Sequence, residues 1–519
     1  MLFIWGICFF LISSPKNNNL NKTAMKKYFL TMVMLIVALT AGAQIERPKL
    51  VVGLVVDQMR WDYLYYYYDK YGAGGLRRLV DEGFNCENNL INYVPTVTGI
   101  GHASIYTGST PALHGIAGND FYMDGRFTYC CSDHTVKSVG SEGRAGEESP
   151  RKMMATTIGD MLRVATDFNA KVIGVAMKDR AAILPAGQSA NAAYWWDNSV
   201  GHFISSTYYM QDLPQWVKEF NEKNTWNPGK DIKMSPEGVT KTFLMAEAAV
   251  ENEKLGQRGV TDMLCISVSP TDAIGHSFGT RGKENWAVYK QLDDDLAAFL
   301  KYLDRKVGRG QYLLFLTADH GAAHNSTMLS ENRIPASGWN MGEARKALNE
   351  HLKAKFGLDN MAPYQYSYKV FLDRPGIKAA GLKLQDVVDE AIEFLKQEKD
   401  LLYVIDLAHA GEATVPAWLK EQLVNGWHSQ RSGDIYCVTR SSYYDFKPGN
   451  DYRGTTHGAW NPYDSHIPCV FFGWKVRHGH STRTTHMIDI APTVCAMLRI
   501  QMPTACFGDP ITEVSDMVQ

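Results

Sequence analysis

The chain has 519 residues, of which 45% are hydrophobic and 21% are charged, and its formal net charge is -2 at pH 7. This length exceeds what one small hydrophobic core needs, so we expect one large domain with insertions or two domains. The near-neutral charge gives no support for nucleic-acid binding, which usually requires a basic surface, and we expect no nucleic acid as a structural partner.

The first informative segment is a predicted export signal. From Met25 the chain reads Met-Lys-Lys-Tyr, continues as an apolar run over 29–39, and reaches an Ala-Gly-Ala that ends at Ala43. This pattern is typical of a secretory signal cut after Ala43. We interpret 1–43 as a leader and signal peptide with the true start at Met25, which predicts a periplasmic or secreted protein. A membrane anchor is the alternative, but the run is short for a bilayer, so we expect no stable membrane span after cleavage.

Short apolar runs rich in β-branched residues recur along the rest of the chain, bounded by Gly, Pro or Asp. Continuous apolar character over the length of a strand is typical of strands that are covered on both faces. The strands that this pattern predicts are 50–56, 172–177, 264–268, 312–317, 435–438 and 469–472.

Helical patterns lie between these runs. Apolar residues at three- and four-residue spacing cover 155–168, and one apolar face runs along 284–307 through Leu292, Leu296 and Phe299. Strands that alternate with helices predict an α/β protein in which a central sheet lies between two layers of helices.

One segment, 332–425, has a different composition. It is rich in Lys, Glu and Ala, and it carries helical patterns at 343–355 and 384–398. None of the motifs described below falls in it, so we interpret it as an inserted cap subdomain. The flanking segments, 44–331 and 426–519, are then the first and the completing part of one catalytic α/β domain.

Three of the predicted strands lead to an aspartate, and two of these aspartates come with a histidine. The aspartates are Asp57, Asp272 and Asp319; His276 follows Asp272 by four residues and His320 is adjacent to Asp319. Ligands bind beyond the carboxyl ends of strands in open α/β sheets, and carboxylate with imidazole suits zinc. The nine cysteines contain no Cys-X-X-Cys pair, so a thiolate zinc site is not indicated. A single aspartate of this kind is equally well explained as a turn residue or helix cap.

A glycine-rich segment around Thr98 is the next candidate. It reads Thr98-Gly-Ile-Gly-His102, and glycines allow a backbone to approach a ligand closely. If a helix begins here, its amides and dipole favour an anion at Thr98. A bound zinc could convert the hydroxyl to an alkoxide. Taken alone, the segment is better explained as a glycine-rich turn with a capping threonine.

Together these motifs resemble the alkaline phosphatase superfamily, and specifically its PafA-type phosphomonoesterases of bacterial periplasms. The resemblance covers 50–508, with the motifs in family order: Asn119 in Gly-Asn-Asp, Lys178 and Arg180 in Lys-Asp-Arg, and His457 in Thr-His-Gly. It implies an alkaline-phosphatase-like three-layer sandwich with a mostly parallel central sheet, and two Zn²⁺ per chain.

The resemblance also implies the reaction and a role for each site residue. It implies a zinc-dependent alkaline phosphatase that hydrolyses small-molecule phosphate monoesters by in-line transfer to Thr98 and hydrolysis of the phosphothreonine. Asn119, Lys178 and Arg180 would bind the phosphate. The implied zinc ligands are Asp272, His276 and His457 for one ion, and Asp57, Asp319, His320 and the Thr98 oxygen for the other.

The residues themselves add one argument for monoesters. Lys178 and Arg180 are two apart at the end of an apolar run, so on an extended chain they would project to one face. Two cations aimed at one point suit a dianionic monoester better than a monoanionic diester. A solvated pair of surface charges is the simpler interpretation if the metal motifs are set aside.

Three alternatives remain open. A phosphodiesterase or nucleotide pyrophosphatase of the same superfamily would use the same zinc ligands without the Lys178 and Arg180 pair. A non-catalytic zinc- or phosphate-binding protein would bind without turnover. His466, which begins an apolar run, could replace His457 as a ligand; the family pattern favours His457, and we interpret His466 as structural.

Overall fold

A computed structural model of the chain describes residues 31, 45–123, 126–446 and 453–518. The predicted leader and signal peptide, 1–43, lies outside these residues apart from Thr31. Within the described ranges, no helix combines the length and the apolar character needed to cross a membrane.

The strands are short and spread along the whole chain. They are β1 (Leu50–Val56), β2 (Phe84–Leu90), β3 (Asp120–Met123), β4 (Arg126–Tyr129), β5 (Ser138–Val139), β6 (Val172–Ala176), β7 (Ala192–Asp197), β8 (His202–Ser206), β9 (Asp262–Val268), β10 (Tyr312–Thr317), β11 (Ser337–Gly338), β12 (Tyr364–Tyr366), β13 (Lys369–Phe371), β14 (Leu401–Asp406), β15 (Ile435–Thr439), β16 (Tyr443–Tyr444), β17 (His466–Ile467), β18 (Cys469–Gly473) and β19 (Gly479–His486).

Eleven of these strands form the central sheet. Its order is β17-β2-β18-β10-β1-β9-β6-β7-β8-β5, and β19 pairs with β2. The five central strands, β10 to β7 in this order, are parallel to one another, whereas β18 and β8 join them antiparallel on either side. All seven residues of β1 are buried, as expected for a strand covered on both faces. The α/β prediction with a mostly parallel centre is confirmed.

The helices alternate with the strands. They are α1 (Tyr63–Tyr66), α2 (Leu76–Glu82), α3 (Thr98–Thr107), α4 (Pro111–His114), α5 (Ile158–Ala165), α6 (Asp179–Ala186), α7 (Gln215–Lys223), α8 (Glu237–Glu253), α9 (Pro270–Phe278), α10 (Lys283–Leu303), α11 (Ser326–Glu331), α12 (Met341–Phe356), α13 (Arg374–Ala379), α14 (Leu384–Leu395), α15 (Ala417–Asn425), α16 (Pro462–Ser465), α17 (Ile490–Leu498) and α18 (Thr512–Ser515).

The predicted helices exist, with shifted ends. The pattern at 155–168 becomes the shorter α5, because Thr157 and Asp160 form a capping box that fixes where the helix begins. The pattern at 284–307 becomes α10, which continues as one π-helical turn over Asp304–Gly308. The patterns at 343–355 and 384–398 correspond to α12 and α14.

A second sheet of four strands lies apart from the central one; we call it the cap sheet. Its order is β12-β13-β15-β14, and all its pairs are antiparallel. With α12, α14 and α15 it encloses its own hydrophobic cluster. The run at 435–438 is therefore a strand, but one of this sheet. The cap boundaries at 332 and 425 stay a prediction, and the cap sheet also takes β15 from beyond residue 425.

Candidate metal centre

The predicted aspartates meet at the carboxyl edge of the parallel strands. β1 lies between β9 and β10, with Val56 opposite Val268 of β9 and Val55 opposite Thr317 of β10. Asp57 directly follows β1, and Asp319 follows β10 after one residue. Asp272 lies in the first turn of α9, which begins just beyond β9. Because these strands are parallel neighbours, residues far apart in the chain converge on one point.

One group of metal-ligating side chains is formed by Asp272, His276 and His457, whose ligand atoms all lie within 4.8 Å of one another. His276 Nε2 lies 3.1 Å from Asp272 Oδ1, and His457 Nε2 lies 3.7 Å from the same oxygen. Four residues separate Asp272 from His276, so one turn of α9 puts both on the same face.

A second group is formed by Asp57, Asp272 and His320, and Asp319 adjoins it. His320 Nε2 lies 3.7 Å from Asp57 Oδ1 and 3.4 Å from Asp319 Oδ2. These three atoms are fully buried, and they have no hydrogen-bond partner among the residues that the structure describes. Buried polar atoms are almost always satisfied, so three such atoms facing one another fit a cation between them.

The three histidines are oriented in the same way. Each uses Nδ1 to donate to a backbone carbonyl: His276 to Thr455 at 2.9 Å, His457 to Thr96 at 2.6 Å, and His320 to Gly321 at 3.0 Å. This arrangement fixes the tautomer and turns each Nε2 lone pair towards the carboxylates, as outer partners of metal-bound histidines do. The rings of His320 and His457 stack with centroids 3.5 Å apart, which brings the two groups side by side.

Burial sets the charge of these groups. It lowers the pKa of His320 to about 4, and burial with two neighbouring imidazoles holds the pKa of His457 well below its usual range. Burial and the adjacent Asp57 raise the pKa of Asp319 well above its usual range. At His276 burial is outweighed by Asp272, which raises the pKa of that imidazole. The neutral imidazoles of His320 and His457, with a carboxyl group that lacks a counter-charge, are the state that a divalent cation would convert to full ligation.

Thr98 is the first residue of α3, a ten-residue helix that is buried throughout. Its neighbour Gly101 is needed for packing, because a Cβ there would lie 2.4 Å from the Asp319 carbonyl oxygen. The absence of a side chain therefore lets the start of α3 approach the second metal-ligating group. The predicted helix start at Thr98 is present, with its positive dipole end at the site.

Lys178 occupies the centre of the site. Its Nζ donates to Asp57 Oδ2 at 2.7 Å and to Asp272 Oδ2 at 2.6 Å, and it lies 3.4 Å from Thr98 Oγ1. Burial would lower the pKa of Lys178, but these two carboxylates raise it above the ordinary value. The amine is thus a positive charge held between predicted metal ligands, a contact that the sequence did not predict.

Arg180 has a different partner from Lys178. Its Nη1 donates to the Tyr129 hydroxyl at 3.1 Å. The extended spacing assumed for the two cations is wrong, because α6 begins at Asp179 and puts Arg180 in its first turn. The structure therefore brings the two cations to the same region through a strand-to-helix turn.

Asn119 lies next to the N-terminus of α3. Its Oδ1 accepts from the Gly99 amide at 2.7 Å, directly after Thr98. With that oxygen engaged, the NH₂ of Asn119 is its donor group, and the Tyr366 hydroxyl of the cap sheet lies beside it.

Other site contacts carry little signal in the sequence. Gln58 donates its side-chain amide to Asp272 Oδ1 at 2.6 Å and its backbone N–H to Asp319 Oδ1 at 3.1 Å. It adopts a left-handed conformation with φ of 63°, an arrangement that follows from the fold and from no local motif. Tyr129 was likewise not predicted.

His466 lies away from the metal-ligating groups. Its ring stacks on Trp61, and its Nε2 lies 2.8 Å from the Glu87 carbonyl oxygen. It is His457 that adjoins Asp272.

Comparisons with known proteins agree with this geometry. The family model for type I phosphodiesterase / nucleotide pyrophosphatase matches residues 51–460. A Myroides odoratus protein named calcium-transporting ATPase is 44% identical over 92% of this chain and 96% of its own length. Alkaline phosphatase PafA of Elizabethkingia meningoseptica is 43% identical over 94% and 99%. Alkaline phosphatase PhoV of Synechococcus elongatus is 41% identical over 91% and 93%.

A solved structure extends the match to three dimensions. The crystal structure of wild-type alkaline phosphatase PafA superimposes with a TM-score of 0.87 at 43% identity, covering 91% of this chain and 99% of that chain. The resemblance predicted from the motifs is confirmed over nearly the full length. The chain therefore belongs to the type I phosphodiesterase / nucleotide pyrophosphatase family and, within the alkaline phosphatase superfamily, to the PafA-type alkaline phosphatases.

Proposed function

We propose that this phosphate monoester hydrolase transfers the phosphoryl group of its substrate to Thr98 Oγ1 and then hydrolyses the phosphothreonine. Its relatives support the monoesterase activity, and its Asp and His groups could hold the metal ions that the family implies. One observation carries the proposal: the Thr98 hydroxyl, at the dipole end of a buried helix, lies 3.4 Å from the Lys178 ammonium, which itself donates to Asp57 and Asp272 of the metal-ligating groups.

The donor atoms suit two zinc ions. Asp272, His276 and His457 would hold one, and Asp57, Asp319 and His320 would hold the other, joined by Thr98. Three oxygen and nitrogen ligands per ion are typical of catalytic zinc. The unpartnered buried atoms of Asp57, Asp319 and His320 support a cation there. When bound, the ions would make the Thr98 hydroxyl more acidic and offset the charge of attacking and leaving oxygens.

The chain itself would bind and orient the phosphate. The N-terminus of α3 favours an anion at Thr98. Arg180 offers a planar fork of donors that Tyr129 holds in place, and Asn119 offers its NH₂ next to Thr98. Cations at Asp57 and Asp272 would compete with Lys178 for the same carboxylates, which would leave its ammonium for a phosphate oxygen.

A phosphodiesterase is the second candidate, because the matching family model carries that name. Lys178 and Arg180 favour the monoester, whose extra negative charge two cations bind more tightly. Removing both with Lys178→Ala and Arg180→Ala should therefore reduce aryl monoester hydrolysis far more than aryl diester hydrolysis. Equal losses for the two substrates would refute this discrimination, and a wild-type preference for the diester would overturn the monoester assignment.

The covalent step has its own test. Acid quenching during turnover of 4-nitrophenyl phosphate, followed by peptide mass spectrometry, should find phosphate on Thr98. Thr98→Ala should lower kcat by at least about 100-fold. An unchanged kcat in this variant would remove Thr98 from the mechanism, as would a phosphate found on another residue.

We also propose that the protein is exported, that it acts on small-molecule monoesters in the periplasm or outside the cell, and that nucleic acid is not a structural partner. The lysine pair after Met25 and the Ala-Gly-Ala ending support cleavage after Ala43. N-terminal sequencing of the mature protein should then begin at Gln44. A mature chain that still carries residues 25–43 would contradict the cleavage.

A further inference from the structure

The loop that carries Asn119 has a second attachment, on the side away from α3. This loop runs from the end of α4 at His114 to Asn119, just before β3. At one end of the loop, Asn119 Oδ1 accepts from the Gly99 amide. The position of the Asn119 amide relative to Thr98 therefore depends on what holds the residues that precede it.

A buried lysine of the cap sheet holds this loop. Lys369, in β13, is 1% exposed, and its Nζ donates to the Ala117 carbonyl at 2.7 Å. Ala117 lies two residues before Asn119. β13 is itself an inner strand of the cap sheet, paired with β12 and β15. The lysine therefore connects a rigid element of the cap sheet to the loop.

A second buried cation attaches the same loop. Arg431 donates from Nη1 to the Gly115 carbonyl at 2.5 Å and to the Lys152 carbonyl at 2.6 Å. Its guanidinium lies 5.2 Å from the centre of the Phe121 ring, just beyond Asn119. Two buried basic side chains from the cap side of the molecule thus bind carbonyl groups of one five-residue loop.

Burying the amine of Lys369 is unfavourable, so packing alone does not explain a lysine at this position. Burial lowers the pKa of its amine to about 7, which reports how strongly this environment disfavours the charged form. An apolar side chain in its place would remove this desolvation cost, but it would also leave the Ala117 carbonyl without this donor. The specific effect of the lysine is the contact with Ala117, and through it the position of the loop.

We propose that Lys369 is a positioning residue for phosphate binding: its bond to the Ala117 carbonyl fixes the loop so that Asn119 can donate to a phosphate oxygen. The cap sheet then completes the substrate site through the loop that carries Asn119. This inference rests on the proposed role of Asn119 in binding phosphate.

A double-mutant cycle tests the inference. kcat/KM for 4-nitrophenyl phosphate is measured with zinc-saturated full-length wild type, Asn119→Ala, Lys369→Met and the double variant. We expect Lys369→Met to lower kcat/KM by about tenfold in the wild-type background and by less than about twofold in the Asn119→Ala background. Inhibition by inorganic phosphate should weaken in parallel in Lys369→Met, because the same contact binds the product.

Three results would overturn the inference, and they have different consequences for the proposed function. An equal loss in both backgrounds would mean that Lys369 supports the fold generally, and no loss would mean that it has no role. Either result leaves the proposed function standing. If Asn119→Ala itself keeps full activity, the proposed role of Asn119 fails together with this inference.

Stability measurements separate positioning from folding. We expect Lys369→Met to unfold at nearly the same temperature as wild type while losing activity, because relief of the buried amine offsets the lost bond to Ala117. A purely structural residue would not lose activity without losing stability. Arg345→Met is the matched control, because Arg345 binds the Ala362 and Pro363 carbonyls within the cap and does not contact the loop. It should leave kcat/KM unchanged. If Lys369→Met fails to fold, Lys369→Gln is put through the same cycle.

Discussion

Lys178 makes a quantitative prediction about the metal-free protein. Its ammonium lies 2.7 Å from Asp57 and 2.6 Å from Asp272, and all three side chains are at least about nine-tenths buried. In the absence of metal, Lys178→Met would leave two buried carboxylates without their counter-charge. Breaking a buried ion pair in this way costs about 3–5 kcal/mol. When zinc is bound at these carboxylates, the same substitution should cost only a small fraction of that.

The assay is thermal unfolding with chelator and with excess zinc, for wild type and variant. Unfolding entropy scales with chain length and is about 1 kcal/mol/K for a folded unit of this size, so the predicted loss is about 3–5 °C in chelator. The assay is run near pH 8, well above the ordinary pKa range of carboxylic acids. Lys178→Arg keeps the charge and should lose less. Lys241→Met, which removes another buried lysine paired with Glu237, controls for loss of a lysine as such. Equal losses for Lys178→Met with chelator and with zinc would refute the reasoning.

Two further predictions concern the site. Tyr129→Phe removes the hydroxyl that accepts from Arg180. kcat/KM for monoesters should therefore fall by up to about tenfold, and kcat/KM for diesters should fall less. Identical falls for the two substrates would show that Tyr129 does not act by orienting Arg180 towards the phosphate. His457→Ala should lower bound zinc from two ions per chain towards one, as measured by atomic emission, because His457 adjoins Asp272 and His276. His466→Ala, which changes a histidine stacked on Trp61, should keep both ions, and zinc loss in this variant alone would reverse the ligand assignment.

Much of the central sheet could be predicted because its inner strands are buried on both faces. β1 and β10 have the predicted bounds, since continuous apolar runs such as Leu50–Val56 have few other stable arrangements. β2 and β19 could not be predicted in this way. Phe84–Leu90 contains three asparagines and Gly479–His486 is mostly polar. These two strands pair with each other towards one edge of the sheet, where an apolar run is not required.

Some site residues could likewise be predicted from the sequence, and others could not. The convergence of Asp57, Asp272 and Asp319 follows from strand-end positions in a parallel sheet, which is why their places after predicted strands made them site candidates. The contacts of Lys178 with carboxylates 121 and 94 residues away have no local signature. Lys369 is similar, because its partner Ala117 lies 252 residues earlier in the chain.

Diffraction from zinc-loaded crystals, with data collected on both sides of the zinc absorption edge, tests the central claim most directly. Two anomalous peaks should appear next to the Thr98 hydroxyl, one contacted by Asp272, His276 and His457, and the other by Asp57, Asp319 and His320. A single peak, or zinc bound by other side chains while the enzyme still turns over monoesters, would contradict the account.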